Sequence, residues 1–245
     1  MDIDTSTLLL TMSEWLGVVA VILILGMSQR PDRHPLVFRY PRREGLVALG
    51  LAGLVFLLSL WFYNGPGIAL LAETGLGSGL LITRLALAGL SVLAAGAFLL
   101  VRRQPLRSAG WKRGELGMAV RWAITLVFLS VFLRGRIFAL LDGVSAVEGQ
   151  ALLLWALIAL AEETVFRGFI QLRLSAWLGN LPGLLLTAAL FFLCQLPRLA
   201  GTPSPGTGLL IAAGQALVLG WVMQRSRHVL APALYRAVSE WMYLL

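Results

Sequence analysis

The chain has 245 residues, of which 58% are hydrophobic and only 13% charged, and its mean hydropathy is +0.84. A soluble domain carries about a quarter charged residues, so this composition excludes an ordinary cytosolic enzyme, a disordered chain and a secreted disulfide scaffold. The formal net charge is +8, but all of the 20 basic residues except Lys112 are Arg, and most sit in short loops between apolar segments, the pattern of a membrane-facing protein rather than of one that binds nucleic acid.

A bilayer-spanning helix needs about 20 apolar residues. The hydropathy pattern predicts eight spans. The first is Leu8–Met27, with Glu14 inside it; that carboxylate has no evident local partner and is expected at the outer interface or facing a neighbouring helix. The second is Gly45–Tyr63. The third, Leu80–Val101, carries Arg84 near its start, and the fourth, Gly117–Leu133, carries Arg121. Both arginines are placed to snorkel to the surface. The fifth runs from Gly149 to about Arg173, with a tail through Trp177 at the interface. Leu181–Leu196, Gly208–Met223 and Val229–Leu245 follow. Asn64-Gly65-Pro66-Gly67, Gly179-Asn180-Leu181-Pro182 and Thr202-Pro203-Ser204-Pro205-Gly206 punctuate the helices. The start, Met1-Asp2-Ile3-Asp4, lacks the basic region of a removable signal peptide. Two regions are expected: four N-terminal spans over 1–148 and a four-span core over 149–245.

Orientation follows from the arginines. Arg30, Arg33, Arg39, Arg42, Arg43, Arg102, Arg103, Arg107, Lys112, Arg113, Arg167, Arg173, Arg225 and Arg227 fall on one side, against Arg134, Arg136 and Arg198 on the other. The positive-inside rule then places both termini outside the cytoplasm.

Ionised groups inside a span cost about 2.5 kcal/mol or more and are paired or used. The C-terminal half concentrates them. The fifth span carries Ala161-Glu162-Glu163-Thr164-Val165-Phe166-Arg167-Gly168, the sixth Phe191-Phe192-Leu193-Cys194-Gln195, and the eighth Arg236 and Glu240. Glu163 with Arg167, and Arg236 with Glu240, stand four apart on one helix face. At a rise of about 1.5 Å per residue, Glu163, Arg236 and Glu240 lie roughly 15, 10 and 16 Å from the cytoplasmic ends of their spans, and Gln195 roughly 21 Å. The four are expected in one intramembrane cavity. Cys194 reads as a small buried apolar residue, and Trp155, Trp177, Trp221 and Trp241 as interface anchors or packing.

Glu162-Glu163-x-x-x-Arg167-Gly168 on an apolar helix, Phe191-x-x-x-Gln195, and a last helix opening Leu230-Ala231-Pro232 resemble the CPBP group. This group comprises the CAAX prenyl endopeptidases, the bacteriocin-processing membrane proteins and their bacterial relatives. The resemblance covers roughly residues 149–243. It implies an all-α, polytopic helical bundle with a CPBP-like core in the C-terminal half. It also implies that Glu162 stands where the family activates water for peptide hydrolysis, supported by Glu163 and Arg167. Gln195 stands at the family's second-motif histidine, and Arg236 and Glu240 at the polar positions of its third motif. All three depart from the pattern. His228 lies 8 residues before Arg236, near the surface, and does not stand in.

The departures have chemical content. A glutamate base needs a tunable environment, and neighbouring cations hold carboxylates ionised and paired. No imidazole remains to bind a metal. Three carboxylates against the two guanidiniums of Arg167 and Arg236 describe an ion-pair network. The expected function is a degenerate family member acting as a scaffold, assembly factor or accessory subunit for another integral membrane protein in a bacterial inner membrane. Its partners are then a membrane complex and the lipid bilayer. The small-residue stretches Gly45 to Gly53 and Ala86 to Ala97 would admit close helix contacts. The alternative is an active endopeptidase using Glu162, with Gln195 and Arg236 as oxyanion donors. A transporter would show paired repeats or broken helices, and no strong sign of either is present.

Overall fold

A computed structural model describes residues 5–27, 36–67, 79–200 and 205–242. The described residues are helical throughout, with short links and no strand. Six helices are long and apolar enough to cross a membrane. They are α1 (Thr5–Met27), α2 (Pro41–Asn64), α3 (Leu80–Val101), α4 (Leu116–Leu133), α8 (Asn180–Leu199) and α9 (Pro205–Ser226). A short α5 (Ile137–Leu141) follows α4. The fifth expected span lies within one continuous helical run: α6 (Ala146–Glu163), a π-helical turn (Thr164–Gln171) and α7 (Leu172–Leu178). The eighth is α10 (Leu230–Trp241), with its expected end at 243–245 outside the described residues. At 12 residues, α10 rises about 18 Å, which carries its polar face only to mid-depth of a hydrocarbon core about 30 Å thick.

Local chemistry sets these boundaries. Pro41 opens α2, where a missing N–H costs nothing. Ser145 and Glu148 close a reciprocal capping box at the start of α6, with Ser145 N–H donating to Glu148 at 2.7 Å. That Ser-x-x-Glu signature is readable in sequence. Pro232 falls in the first turn of α10, where N–H groups lack intrahelical carbonyls. Gly179, with φ 95°, lets α7 turn directly into α8.

The bundle is apolar outside and polar inside. Leu16, Leu57, Leu93, Ile124, Phe128 and Phe132 are exposed, while Glu14, Glu163, Arg167, Arg173 and Arg236 are buried. A water-soluble protein of this size does not display so large an apolar exterior; a polytopic membrane protein presents it to lipid. One core packs α2, α3, the π turn and α8 around Leu51, Phe166, Phe169 and Phe191. A second joins α1, α4, α9 and α10 around Ile22, Trp122, Leu126 and Tyr235. The helices α3, α6 and α10 are brought together by α3–α6 and α6–α10 packing.

The π turn has a steric cause at its surface. A Cβ on Gly168 would lie 2.1 Å from the Ala109 carbonyl oxygen and 2.9 Å from Val229 Cγ2. Only a glycine admits the 106–110 link so close to the helix. The same link accepts the Val229 N–H on the Gly110 carbonyl, fixing the entry to α10.

The expectation for Arg173 is corrected, and of the two places open to Glu14 the structure shows the neighbouring helix. Glu14 has partners: Arg134 Nε and Nη2 meet its Oε2 at 2.8 and 2.7 Å, and the Ser130 hydroxyl donates to Oε1. Arg134 also donates to Ser239 Oγ at 3.0 Å, so one knot ties α1, α4 and α10. Arg173, counted as a surface charge, is fully buried. Its Nε pairs with Glu44 at 3.1 Å, its Nη1 donates to the Ser108 and Phe169 carbonyls, and Gln104 accepts from Nη2. Arg102 meets the other Glu44 oxygen at 2.7 Å. The guanidinium stays buried because every side of it finds an acceptor.

Candidate functional site: a buried arginine–glutamate knot

The two carboxylates of the paired motif end α6, the arginine of the motif sits in the π turn, and α10 supplies the third-motif positions. Glu163, Arg167 and Arg236 are fully or almost fully buried, and Glu162 nearly so. Arg236 is the hub. Its Nε donates to Glu240 Oε1 at 2.8 Å, its Nη1 to Glu163 Oε1 at 2.8 Å, and its Nη2 to Glu162 Oε2. Glu163 Oε2 accepts from Arg167 Nε at 3.1 Å. Both i,i+4 pairs expected from helix spacing are formed.

The structure adds a member that sequence reasoning placed at the surface. Arg84 does not snorkel; its side chain is 3% exposed. Its Nε donates to Glu162 Oε1 at 3.2 Å, and both Nη groups engage Glu240, Nη2 at 3.0 Å. Trp155 lies under its guanidinium at 4.8 Å from the ring centre, a cation–π contact that a desolvated arginine favours. Arg84 is the third cation against three carboxylates, so the knot is formally neutral. A signal for it existed in the sequence: the paired-motif and third-motif residues alone leave one negative charge over.

Every carboxylate oxygen of Glu162, Glu163 and Glu240 faces a guanidinium. Arg167 differs from the other two arginines. Its Nη1 and Nη2 are buried and make no hydrogen bond among the described residues. They lie against the Phe191 ring, which also faces Arg236, each guanidinium 5.1 Å from the ring centre.

Gln195 does not join. It is buried on α8, one turn beyond Phe191, but among the described residues no hydrogen bond links it to the knot. Glu163, Arg236 and Glu240 thus meet in one ion-pair network, which Gln195 joins by no hydrogen bond among the described residues. Cys194 is tied down: Sγ approaches the Ala52 carbonyl at 3.8 Å and its own carbonyl accepts from Ser59 Oγ at 2.7 Å. His228 stands outside the knot, where its Nδ1 accepts the Leu230 N–H at 3.0 Å and its ring meets Trp111 edge-on.

Residues 145–242 match the family model described as type II CAAX prenyl endopeptidase Rce1-like. Over these residues the chain is similar to that family. The match opens on the Ser145 cap of α6 and closes one residue past α10, so it contains all of the knot except Arg84. No curated protein and no solved structure matches the chain. The protein is a multi-pass helical membrane protein, and the segment similar to that family carries the paired-glutamate motif in ion-paired form.

Proposed function

We propose that this Rce1-like protein is catalytically silent and works by binding, as a scaffold, assembly factor or accessory subunit for another integral membrane protein. The reading takes its location to be a bacterial inner membrane with both termini on the non-cytoplasmic side. One observation carries it: guanidiniums occupy both oxygens of Glu162, the position that would have to activate water. A general base needs a free lone pair and a pKa near the working pH. The Glu162 carboxylate is instead pinned at both oxygens by Arg84 and Arg236, and among the described residues no imidazole stands in the knot to share the proton.

The exterior supports the binding half of the reading. Nothing lies within 4 Å of a Cβ added to Gly50, Gly53, Gly89 or Gly96, so α2 and α3 present small residues to lipid, where another helix could approach closely. Gly45 is different: Trp177 fills its space from inside.

The test is native purification in mild detergent of the wild type and Glu162→Gln. A scaffold brings down a stoichiometric membrane partner in both forms, with no peptide hydrolysis by either. Cleavage of a prenylated or membrane-embedded peptide by the wild type, abolished in Glu162→Gln, overturns the proposal in favour of an endopeptidase.

A further inference from the structure

A cavity of about 290 Å³ opens at the C-terminal end of the long helical run, beyond the Glu162–Glu163 pair at its middle. Its walls come from the 102–115 link, α7, the start of α8 and the end of α9. Ser175 lies 12 residues beyond Glu163 along the helix, about 18 Å at 1.5 Å per residue; Gln171 is nearer, four residues past Arg167, but no residue of the knot lines the cavity. Its lining includes Lys112, Arg227, Gln171, Ser175, Asn180 and Gln224, with no acidic residue among the described residues. The remaining lining is mostly apolar, with Leu172, Ala176 and Met223.

Three features mark it as a built site rather than a surface dent. Gln171 is 1% exposed, and its Nε2 donates to the Gly220 carbonyl at 2.9 Å, but its Oε1 has no partner. Ser175 Oγ is also buried without a partner. Buried polar atoms are seldom left so. Arg227 ends α9 in the left-handed region, φ 58°, a place glycine fills without strain. An arginine there keeps a cation on this wall against that steric preference; Glu115 meets it from outside the cavity at 3.9 Å.

Position decides among ligands. The cavity lies where α2, α4 and α8 begin and where α3 and α9 end. This is the end of the bundle that carries Arg42, Arg43, Arg102, Arg103, Arg113 and Arg225. Such a belt sits at headgroup level and attracts anions. The volume is near the lower end of the 300–1,000 Å³ typical of small-ligand sites, too small for an acyl chain together with its headgroup.

We propose that this cavity binds a phosphate-ester headgroup that bears a hydroxyl or ammonium donor. Lys112 and Arg227 take the phosphate, and Gln171 Oε1 and Ser175 Oγ meet the donor. Asn180 and Gln224 complete the polar wall, and the lipid tails lie outside along the apolar exterior. The same chemistry could arrive as a soluble organophosphate.

The experiment uses the full-length protein in nanodiscs and in detergent, with native mass spectrometry as the readout. Nanodiscs contain phosphatidylcholine with a minor fraction of phosphatidylglycerol or phosphatidylethanolamine. One bound phosphatidylglycerol or phosphatidylethanolamine is expected to be retained on ejection, at least fivefold over phosphatidylcholine. The Lys112→Gln/Gln224→Leu variant should lose that preference with an unchanged melting temperature. Should the variant melt lower, Ser175→Val supplies a milder second reading of the same loss. A parallel arm adds glycerol phosphate to delipidated protein in detergent. Saturable binding there, lost in the same variant and without lipid selectivity, assigns the same site to a soluble organophosphate. Equal retention of all three lipids by the wild type, with no glycerol phosphate binding, overturns the proposal. So does a preference that survives in both variants.

Discussion

Arg84 and Glu240 stand 156 positions apart in the chain and share a two-pronged ion pair, with Arg84 Nη2 3.0 Å from Glu240 Oε1 and Nη1 on Oε2. Through Glu162 and Arg236 this pair joins α3, α6 and α10. Arg84 is therefore the point at which the N-terminal spans enter the charged interior of the Rce1-like segment.

Removing one partner of a buried pair leaves a charge stranded, at a cost of about 3–5 kcal/mol, whereas replacing both by apolar groups is often neutral. Arg84→Met should destabilise the protein by that amount in reversible unfolding in mixed micelles. Arg84→Met/Glu240→Leu should recover at least half of the loss. A double variant as unstable as the sum of the two singles would show that Arg84 and Glu240 do not interact.

The three arginines of the knot should not be equivalent. Arg236 bonds three carboxylates, whereas Arg167 contributes only its Nε and leaves two Nη groups unpaired. An unsatisfied buried donor costs about 1–3 kcal/mol, so Arg167→Met relieves part of what it breaks. Arg167→Met should be milder than Arg236→Met by about 2 kcal/mol in the same unfolding assay.

Two glycines separate packing from partner binding. Gly168→Ala would set a methyl 2.1 Å from a backbone oxygen. The gain in helix propensity is about 1 kcal/mol and the overpacking cost about 3 kcal/mol, so the variant should be destabilised. Gly96→Ala points into open space and should change stability by less than about 0.5 kcal/mol. On the scaffold reading it should reduce the amount of co-purified partner.

His228 makes stability pH-dependent. Burial holds its pKa below the ordinary 6.5, and its Nδ1 is used as an acceptor for the Leu230 N–H. The folded state therefore prefers the neutral ring. Stability is full above the unfolded value near 6.5 and declines as pH falls below it, because the unfolded chain takes up the proton first. Thermal unfolding between pH 5 and 7.5 should show this slope. His228→Asn, which can still accept the same N–H, should flatten it.

Glu14 fixes the first helix. Glu14→Gln leaves Arg134 with no carboxylate at this site and should expose α1 to faster amide exchange than α4. Equal exchange in the variant and the wild type would remove the Glu14–Arg134 pair from the account of how α1 docks.

Much of this was legible from the residues alone. Apolar runs placed the long helices because lipid solvation leaves no other solution for such segments. The pairs Glu163–Arg167 and Arg236–Glu240 followed from helical spacing, because both partners share one helix face. Contacts between helices were a different matter. Arg84 sits near the start of α3, where a flexible side chain can reach either water or a buried acid, and hydropathy does not choose between them. Charge balance does, since the motif residues alone fall one cation short. Arg173 was misread for the same reason, since its partner Glu44 lies on another helix, and the residues left open whether Glu14 met the interface or a neighbouring helix. Gln195 shows the converse. Motif position suggested a place in the knot, but among the described residues it forms no bond there.

The knot also orders the birth of the protein. Arg84 and the two glutamates of α6 are synthesised before Arg236, and α10 is the last of the three helices to leave the ribosome. Until it docks, Glu163 has only Arg167 and Glu162 only Arg84, and the nascent bundle holds a polar gap that lipid cannot solvate. Closure by α10 thus brings the second guanidinium to both acids. A molecule halted before Arg236 leaves one oxygen of each glutamate without its ion-pair partner inside the bilayer.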